Sequence, residues 1–238
     1  MGVLSERTPN DLSGRTERGT AAAICGGWNH EVTRGPHTLE GLLRRHGFGV
    51  VSCELPDQAV TALNDRPDLV VVSACWMAMR SPTLEHVQAQ HGVRTSRLFR
   101  ASLASCIDGG VPLLVVHAGA MSFEDWSEWS SILHANRSSA ELGHGDVDEL
   151  IVNVSPDHRR GGVDSFTVTD ASVRGVSPLS TATVLATVND EPTIWRHRYG
   201  SAKVAVDLLG HGEASWSTPE HREIQDELIE WLMSDQAT

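Results

Sequence analysis

VPLLVVHAGAMSFEDW, residues 111–126, passes from an apolar run through a histidine into small residues and the start of a helix. The run VPLLVV shows almost no alternation of apolar and polar residues, which is typical of a parallel strand that is covered on both faces. Strands of α/β enzymes often end in a sharp turn that presents a reactive serine or cysteine. Here the residue at that turn is His117.

Segments of strand and helix character alternate on both sides of this turn. Before it, strand-like runs at 20–27, 49–55 and 67–76 alternate with helix-period segments at 36–48, 57–65 and 94–108. After it, residues 122–135 resemble a helix with Ser122 and Asp125 as a capping signal. Five strand-like runs and an amphipathic helix over 217–235 follow. This order predicts an α/β fold with a doubly wound, mostly parallel sheet and extra strands in the C-terminal half.

The first 19 residues stand apart from this pattern. They are rich in Ser, Thr, Gly and Arg and contain no continuous apolar run, so we expect a disordered tail rather than a secretion signal. No Pro- or Ser-rich linker divides the remainder. We therefore expect one domain over residues 20–234.

The charge of the chain argues against two classes of partner. The sequence has 19 Lys and Arg against 31 Asp and Glu, for a net charge of −12, and its basic residues are scattered. Such a surface does not track the phosphates of nucleic acids or anionic lipids, and no apolar run approaches the ~20 residues that span a bilayer. We expect a cytoplasmic protein that binds neither nucleic acid nor membrane, and its assembly into a homo-oligomer stays open.

Histidines follow several of the predicted strands. In a doubly wound sheet the site lies beyond the carboxyl ends of the parallel strands, so residues in these turns meet at one rim. They are Gly27, Trp28 and His30 after the first strand, Trp76 after the third, His117 and Gly119 after the fourth, and His211 and Glu213 after the last. One histidine at a strand end is usually structural, but three on one rim predict a functional site. His37, His144 and His158 lie in other turns, and the sequence assigns them no role.

Part of this layout resembles the class I glutamine amidotransferases. These enzymes carry a G-x-C-x-G turn after a strand and H-x-E after the final strand; here VVHAG stands at the turn, and His211-Gly212-Glu213 matches H-x-E. Because His117 replaces the cysteine, no thiolate is available to form a glutamyl thioester. Glutaminase activity is therefore not expected.

A second resemblance is more specific and covers Thr20 to Trp231. Four stretches are similar to the ThuA-like (trehalose utilisation) family of the same superfamily. They are GGWNHE (26–31), PHTLEGLLRRHGF (36–48), VPLLVVHAGAMSFEDWSEW (111–129) and the block 192–231, which carries a W-x-H-x-Y-G-x-x-x-V pattern. The chain departs from the family at Asp157-His158-Arg159, where a His-Pro pair is usual. The resemblance implies a flavodoxin-like three-layer fold and a role in the catabolism of trehalose-like disaccharides through 3-keto-glycosides.

Acid/base chemistry on a keto sugar needs two kinds of group. A base with a pKa near neutrality removes the acidic proton beside the carbonyl, and an electrophile holds the enolate oxygen. His30, His117, His211 and Glu213 are the candidates for the acid/base work. The electrophile is either a further histidine or a divalent metal, with zinc as the first choice, bound by His30, His117 and His211. No nucleotide cofactor is expected.

The remaining rim residues are candidates for substrate binding. Trp28 and Trp76 would stack on a sugar ring, and Gly27 and Gly119 would line the same pocket. The pattern favours an enzyme of the sugar isomerase, lyase or hydrolase type with a small sugar as substrate. The alternative is a non-catalytic sugar-binding or regulatory protein that uses the same pocket.

Overall fold

The computed structural model describes residues 18–28, 30, 35–79, 91–138, 141–158 and 163–234. The first half alternates strands and helices: β1 (Gly19–Gly27), α1 (Leu39–Arg45), β2 (Phe48–Cys53), α2 (Pro56–Asn64), β3 (Leu69–Cys75), α3 (Arg97–Asp108), β4 (Leu113–Val116), α4 (Ala118–Met121) and α5 (Glu128–Leu133). The second half is mainly strands: β5 (Ala135–Arg137), β6 (Gly143–Val154), β7 (Ser165–Arg174), β8 (Val176–Pro178), β9 (Thr183–Val188), β10 (Glu191–Tyr199) and β11 (Ala202–Asp207), followed by α6 (Glu213–Ser217) and α7 (Pro219–Met233).

Nine strands of the described ranges form one sheet in the order β2-β1-β3-β4-β11-β10-β9-β6-β7. The first five strands in this order are parallel, and the order 2-1-3-4-5 of flavodoxin-like sheets is reproduced with β11 in fifth place. β10, β9, β6 and β7 extend the sheet by antiparallel pairing. The predicted α/β fold, with a mostly parallel sheet and extra strands in the C-terminal half, is confirmed.

Helices cover both faces of the parallel strands and make three layers. On one face α2 and α3 pack with the aromatic cluster of Trp76, Phe99, Phe123 and Trp129. On the other face the leucines of α1 and the apolar stripe of α7 bury the opposite side of the same strands. Because the strands are buried on both faces, their sequences are continuously apolar rather than alternating.

The segment after β4 does not form the helix expected over residues 122–135. Two short helices, α4 and α5, replace it. The Ser122 hydroxyl donates to the Ala74 carbonyl at 2.5 Å and accepts the Trp76 N–H at 2.9 Å. Ser122 therefore ties this segment to the end of β3 instead of capping a helix, and Phe123 follows with a positive φ of 57°. The expected capping signal was wrong because its hydroxyl is used by a neighbouring strand.

The ends of the chain show one small difference from expectation. Gly19 already belongs to β1, so the segment expected to be a disordered tail ends before it. Residues 1–17 of that segment lie outside the described residues. None of the helices in the described ranges has the length and apolar character needed to cross a bilayer.

Candidate metal centre

Four histidines meet at the carboxyl end of the parallel strands. His30, His117, His144 and His211 each offer one ring nitrogen, and these four nitrogens all lie within 4.8 Å of one another. Three of these residues are the histidines that the strand-end rule brings to one rim. The fourth, His144, comes from the start of β6 in the antiparallel half of the sheet.

His117 occupies a strained turn between β4 and α4. Its backbone has φ 44° and ψ −111°, a conformation that costs a side-chain-bearing residue on the order of 1–3 kcal/mol. Its N–H donates to the Asp207 carbonyl of β11 at 2.7 Å, which helps to hold the turn. A strand-to-helix turn strained in this way also presents the nucleophile of α/β-hydrolases. The turn therefore still projects one side chain to the rim, although that side chain is an imidazole.

Three of the four imidazoles are oriented by backbone carbonyls. The Nδ1 atoms of His30, His117 and His144 lie 2.8, 2.9 and 2.8 Å from the carbonyl oxygens of Trp28, Leu208 and Gly145, respectively. A carbonyl oxygen only accepts hydrogen bonds, so each Nδ1 carries the proton. Each Nε2 then keeps its lone pair. This is the arrangement by which proteins orient histidine ligands of a metal.

Two of these Nε2 atoms are buried without a partner. Those of His30 and His117 find no hydrogen-bond donor or acceptor among the described residues, whereas buried polar atoms in folded proteins are almost always satisfied. Burial lowers the pKa of His30, and it lowers the pKa of His117 to about 3. Both rings are therefore neutral at physiological pH, which is the state in which imidazole binds a metal.

The cluster fits a divalent transition metal in number, type and spacing of donors. A tetrahedral zinc ion with Zn–N bonds of about 2.0–2.1 Å holds its nitrogens about 3.4 Å apart. The four ring nitrogens of the cluster lie within 4.8 Å of one another, a spacing of the same order. Neutral nitrogen donors suit zinc, copper, iron and nickel and do not suit magnesium or calcium.

His211 differs from the other three members of the cluster. Its ring makes no hydrogen bond within the described part of the chain, and it is half-buried. Burial lowers its pKa, and the nearby His144 lowers it further. The His211 imidazole is therefore neutral and, unlike the other three, is not fixed in one orientation by a backbone carbonyl.

A buried aspartate that the sequence did not point to holds the backbone of His211. Asp170 of β7 is 1% exposed. Its carboxylate accepts the N–H groups of Gly210 at 2.6 Å and His211 at 3.1 Å. Glu213, the carboxylate expected from the H-x-E match, is exposed at the start of α6 and is not part of the cluster.

The two tryptophans expected to bind sugar lie in different surroundings. Trp28 is half-buried at the end of β1 and supplies the carbonyl that orients His30. Trp76 is 1% exposed and packs against Phe99 and Phe123, with ring centroids at 5.7 and 6.2 Å. The Trp76 ring therefore packs in the core, and its expected stacking on a sugar stays a prediction.

The two glycines expected in the pocket are explained by close packing against β3. A Cβ at Gly119 would lie 2.1 Å from the Val72 carbonyl oxygen, and a Cβ at Gly27 would lie 2.3 Å from that of Cys75. Gly27 also has a φ of 102°, which side-chain-bearing residues rarely adopt. Both glycines allow the rim turns to approach the central strand.

The three histidines to which the sequence assigned no role lie in different parts of the structure. His144 joins the cluster because β6 begins six residues before the run that looked like a strand, at Gly143 instead of Glu149. His158 lies 3.5 Å from Glu227 of α7 and is outside the cluster. His37 precedes α1 and is also outside it, although its Nδ1 is buried without a partner among the described residues. The one sequence signal at His144 is its position between two glycines in GHGD (143–146).

A cavity of about 80 Å³ adjoins the cluster at His30 and His211. Its other walls come from the ends of β1, β2 and β3, from α1 and from Trp216. Polar groups in the lining include the hydroxyls of Ser52 and Ser73, and no Lys or Arg is among the described residues that line it. This lining suits a neutral hydroxyl-bearing group and has no cation to bind a phosphate or carboxylate.

Comparisons with known proteins agree with the fold. A ThuA-like protein of Parabacteroides merdae is 13% identical with a TM-score of 0.63, with 90% of this chain and 89% of that one covered. A cytoplasmic protein of Salmonella typhimurium is 15% identical with a TM-score of 0.62, with 90% and 98% covered. A ThuA-like protein of Bacteroides uniformis is 12% identical with a TM-score of 0.62, with 97% of each chain covered. At these identities the likeness shows the fold alone.

The sequence comparisons identify the family. No curated protein sequence matches this chain. The family model ThuA, described as trehalose utilisation, matches residues 22–232, which contain all four histidines of the cluster. The resemblance noted from the sequence motifs is thus confirmed over most of the chain, and the protein belongs to the ThuA family.

Proposed function

We propose that this protein is an enzyme of carbohydrate catabolism that acts on a 3-keto-glycoside or a related sugar by histidine-based, metal-assisted acid/base chemistry. The observation that carries the proposal is the convergence of four imidazoles, three of them oriented through Nδ1. Membership of the ThuA family supports the sugar as substrate class. The absence of a cysteine at the His117 turn leaves no nucleophile for amidotransferase chemistry.

The four histidines divide into two roles. His30, His117 and His144 would hold a divalent metal, with zinc as the first choice, because their protonated Nδ1 atoms leave each Nε2 free to ligate. Catalytic zinc sites commonly use three protein ligands of this kind. His211 acts as the general base because its ring is neutral and free of a fixed hydrogen bond within the described residues.

The chemistry follows from the acidity of a keto sugar. The bound metal supplies Lewis-acid polarisation of a carbonyl oxygen. His211 accepts the proton from the carbon beside the carbonyl, and its lowered pKa ensures that it starts unprotonated near neutral pH. The same imidazolium then returns the proton to a neighbouring carbon or to a departing glycosidic oxygen. His211 therefore serves as base and then as acid, without a covalent intermediate.

The cavity beside His30 and His211 supports a neutral substrate. Ser52 and Ser73 offer hydroxyls there that can pair with sugar hydroxyls, and the described lining contains no Lys or Arg. A sugar phosphate would meet no Lys or Arg among the described residues of this lining, whereas it would meet the Glu40 side chain there. We therefore infer that an unphosphorylated sugar enters the site.

The test measures metal content and turnover separately. Protein purified without a histidine tag is analysed for bound metal and assayed with 3-keto-trehalose, as wild type and as His117→Ala, His211→Ala and the control His158→Ala. We expect His117→Ala to lose metal and turnover together. His211→Ala is expected to keep the metal and lose turnover by a factor of about 10²–10⁴, the usual contribution of a general base. His158→Ala lies outside the cluster and should behave as wild type.

Two outcomes would overturn the proposal. A wild-type metal stoichiometry near zero, even after reconstitution with zinc, would show that metal has no part in the mechanism. Full turnover of keto-glycosides by both His117→Ala and His211→Ala would remove histidine catalysis. If the wild type binds the sugar but turns none over, the protein is a sugar-binding or regulatory member of the family.

A further inference from the structure

We propose that Asp170 is a positioning residue of the four-histidine site, which aims His211 and supplies the negative charge that favours a cation among the imidazoles. This inference rests on the proposed metal site. It concerns a residue that belongs neither to the metal ligands nor to the turns after the parallel strands. Asp170 comes from β7, the edge strand of the antiparallel half.

The geometry of Asp170 shows what it holds in place. Its Oδ2 accepts the Gly210 N–H at 2.6 Å, and its Oδ1 accepts the His211 N–H at 3.1 Å and its neighbour Ala171 N–H at 2.7 Å. The first two donors lie in the short segment that follows β11 and carries the His211 side chain. A carboxylate that binds two consecutive N–H groups fixes the direction of that segment, as charge-assisted hydrogen bonds are short and strong.

The same segment is fixed at its other end by a second buried aspartate. Asp207 Oδ1 accepts the Leu209 N–H at 3.0 Å, and the intervening Leu208 carbonyl receives the Nδ1–H of His117. Asp207 and Asp170 thus hold residues 208–211 from both sides. The two imidazoles that depend on this segment are His117 and His211.

The charge of Asp170 is not balanced by a basic side chain. No Lys or Arg among the described residues pairs with it, although it is 1% exposed. Its partners among the described residues are three backbone N–H groups, which stabilise a carboxylate but carry no net charge. The ionisable groups that sense the charge are His117, His211 and His221.

These three histidines leave one place for a compensating charge. His221 is already paired with Asp207 at 2.8 Å. The partnerless Nε2 of His117 and the ring of His211 both belong to the four-histidine cluster. A divalent cation between the ring nitrogens would compensate the charge of Asp170. A pocket of four imidazoles beside one buried carboxylate is therefore expected to favour cations over anions.

The experiment measures metal affinity in the full-length protein. Zn²⁺ and Co²⁺ affinities are obtained by competition with a chelator for the wild type, Asp170→Asn and the control Asp68→Asn. Asp68 makes a similar bond, since its Oδ2 accepts the Thr20 N–H at 2.8 Å, but it lies at the opposite end of the sheet. We expect Asp170→Asn to bind metal about 10–100-fold more weakly, as for other residues that support ligands, and Asp68→Asn to bind as wild type.

A second measurement distinguishes a role of Asp170 in metal binding from a merely structural role. The increase in unfolding free energy on adding saturating Zn²⁺ is measured for both variants, because general destabilisation lowers the baseline without changing this increment. If Asp170→Asn does not fold, the pair Asp170→Glu and Asp170→Gln replaces it. These two differ in charge and not in length, and we expect the Glu variant to bind metal at least tenfold more tightly.

The possible failures are distinguishable. A wild type that binds no metal overturns the metal site and this inference together. A wild type that binds metal, with Asp170→Asn or the Glu and Gln pair binding it equally well within twofold, overturns the role of Asp170 and leaves the metal site standing.

Discussion

Substitution of Gly119 by alanine tests whether this residue packs the fold or contacts a substrate. A Cβ at this position would lie 2.1 Å from the Val72 oxygen and 2.8 Å from the Val72 carbonyl carbon. Ordinary contact begins at 3.4 Å, so α4 and β3 must move apart by about 1.3 Å. Because the obstacle is backbone of a central strand, no side-chain rotation relieves it. We expect a loss near the upper end of the range for overpacking, about 3 kcal/mol.

The assay is urea unfolding followed by circular dichroism, without metal or sugar. For a domain of this size such a loss corresponds to a decrease in Tm of about 6–12 °C. The matched control is Gly143→Ala, since a Cβ at Gly143 meets nothing within 4 Å; its stability should remain within about 0.5 kcal/mol of wild type. If Gly119→Ala is as stable as wild type, the packing explanation is refuted and the substrate-binding role expected from the sequence returns.

Three further predictions concern buried polar and aromatic side chains. Burial lowers the pKa of His197 to about 4, so the unfolded chain takes up a proton that the folded one does not. The free energy of unfolding should fall as the pH decreases from 6.5 towards 4. In His197→Gln the fall over this range should be smaller by about 2–3 kcal/mol. Burial opposes the charge on His221, but the charge of Asp207 and its hydrogen bond raise the His221 pKa. The stabilisation from this pair is complete below pH 6.5 and is lost as pH rises through the pKa of the folded state. In urea unfolding, His221→Gln should therefore lower the free energy of unfolding by about 3–5 kcal/mol at pH 6 and by less at pH 9. Trp76→Ala should lose about 3–5 kcal/mol in the same assay without sugar, whereas a stacking residue would leave the stability of the free protein unchanged.

The parallel half of the sheet and its rim could be predicted from the sequence. Uninterrupted apolar runs identified the strands that are buried on both faces, and the rule for doubly wound sheets then assigned His30, His117 and His211 to one edge. The structure brings these three together, although they are far apart in the sequence. The inference succeeded because strand direction alone determines which turns share an edge.

The residues that the sequence did not identify lie where this rule does not apply. His144 and Asp170 come from the β6–β7 hairpin, whose position depends on antiparallel pairing and on tertiary packing. Trp76 is buried, which the sequence did not indicate because a residue at the end of a strand can turn either to the rim or to the core. Glu213 lies outside the cluster because α6 starts at that residue, where its side chain is exposed. Side-chain direction is decided by packing, which a motif spacing does not encode.

The central position of β11 has a consequence for the order in which this chain can fold. β11 is the last strand in sequence, yet it lies between β4 and β10 and joins the parallel and antiparallel halves. On a ribosome, β4 therefore has an unpaired edge until residues 202–207 have emerged, although its own residues 113–116 were made long before. Such distant pairings slow folding, and an apolar edge that waits for its partner is exposed to aggregation. We expect nascent chains that stop before β11 to depend on chaperones and the finished chain to complete its sheet in one late step.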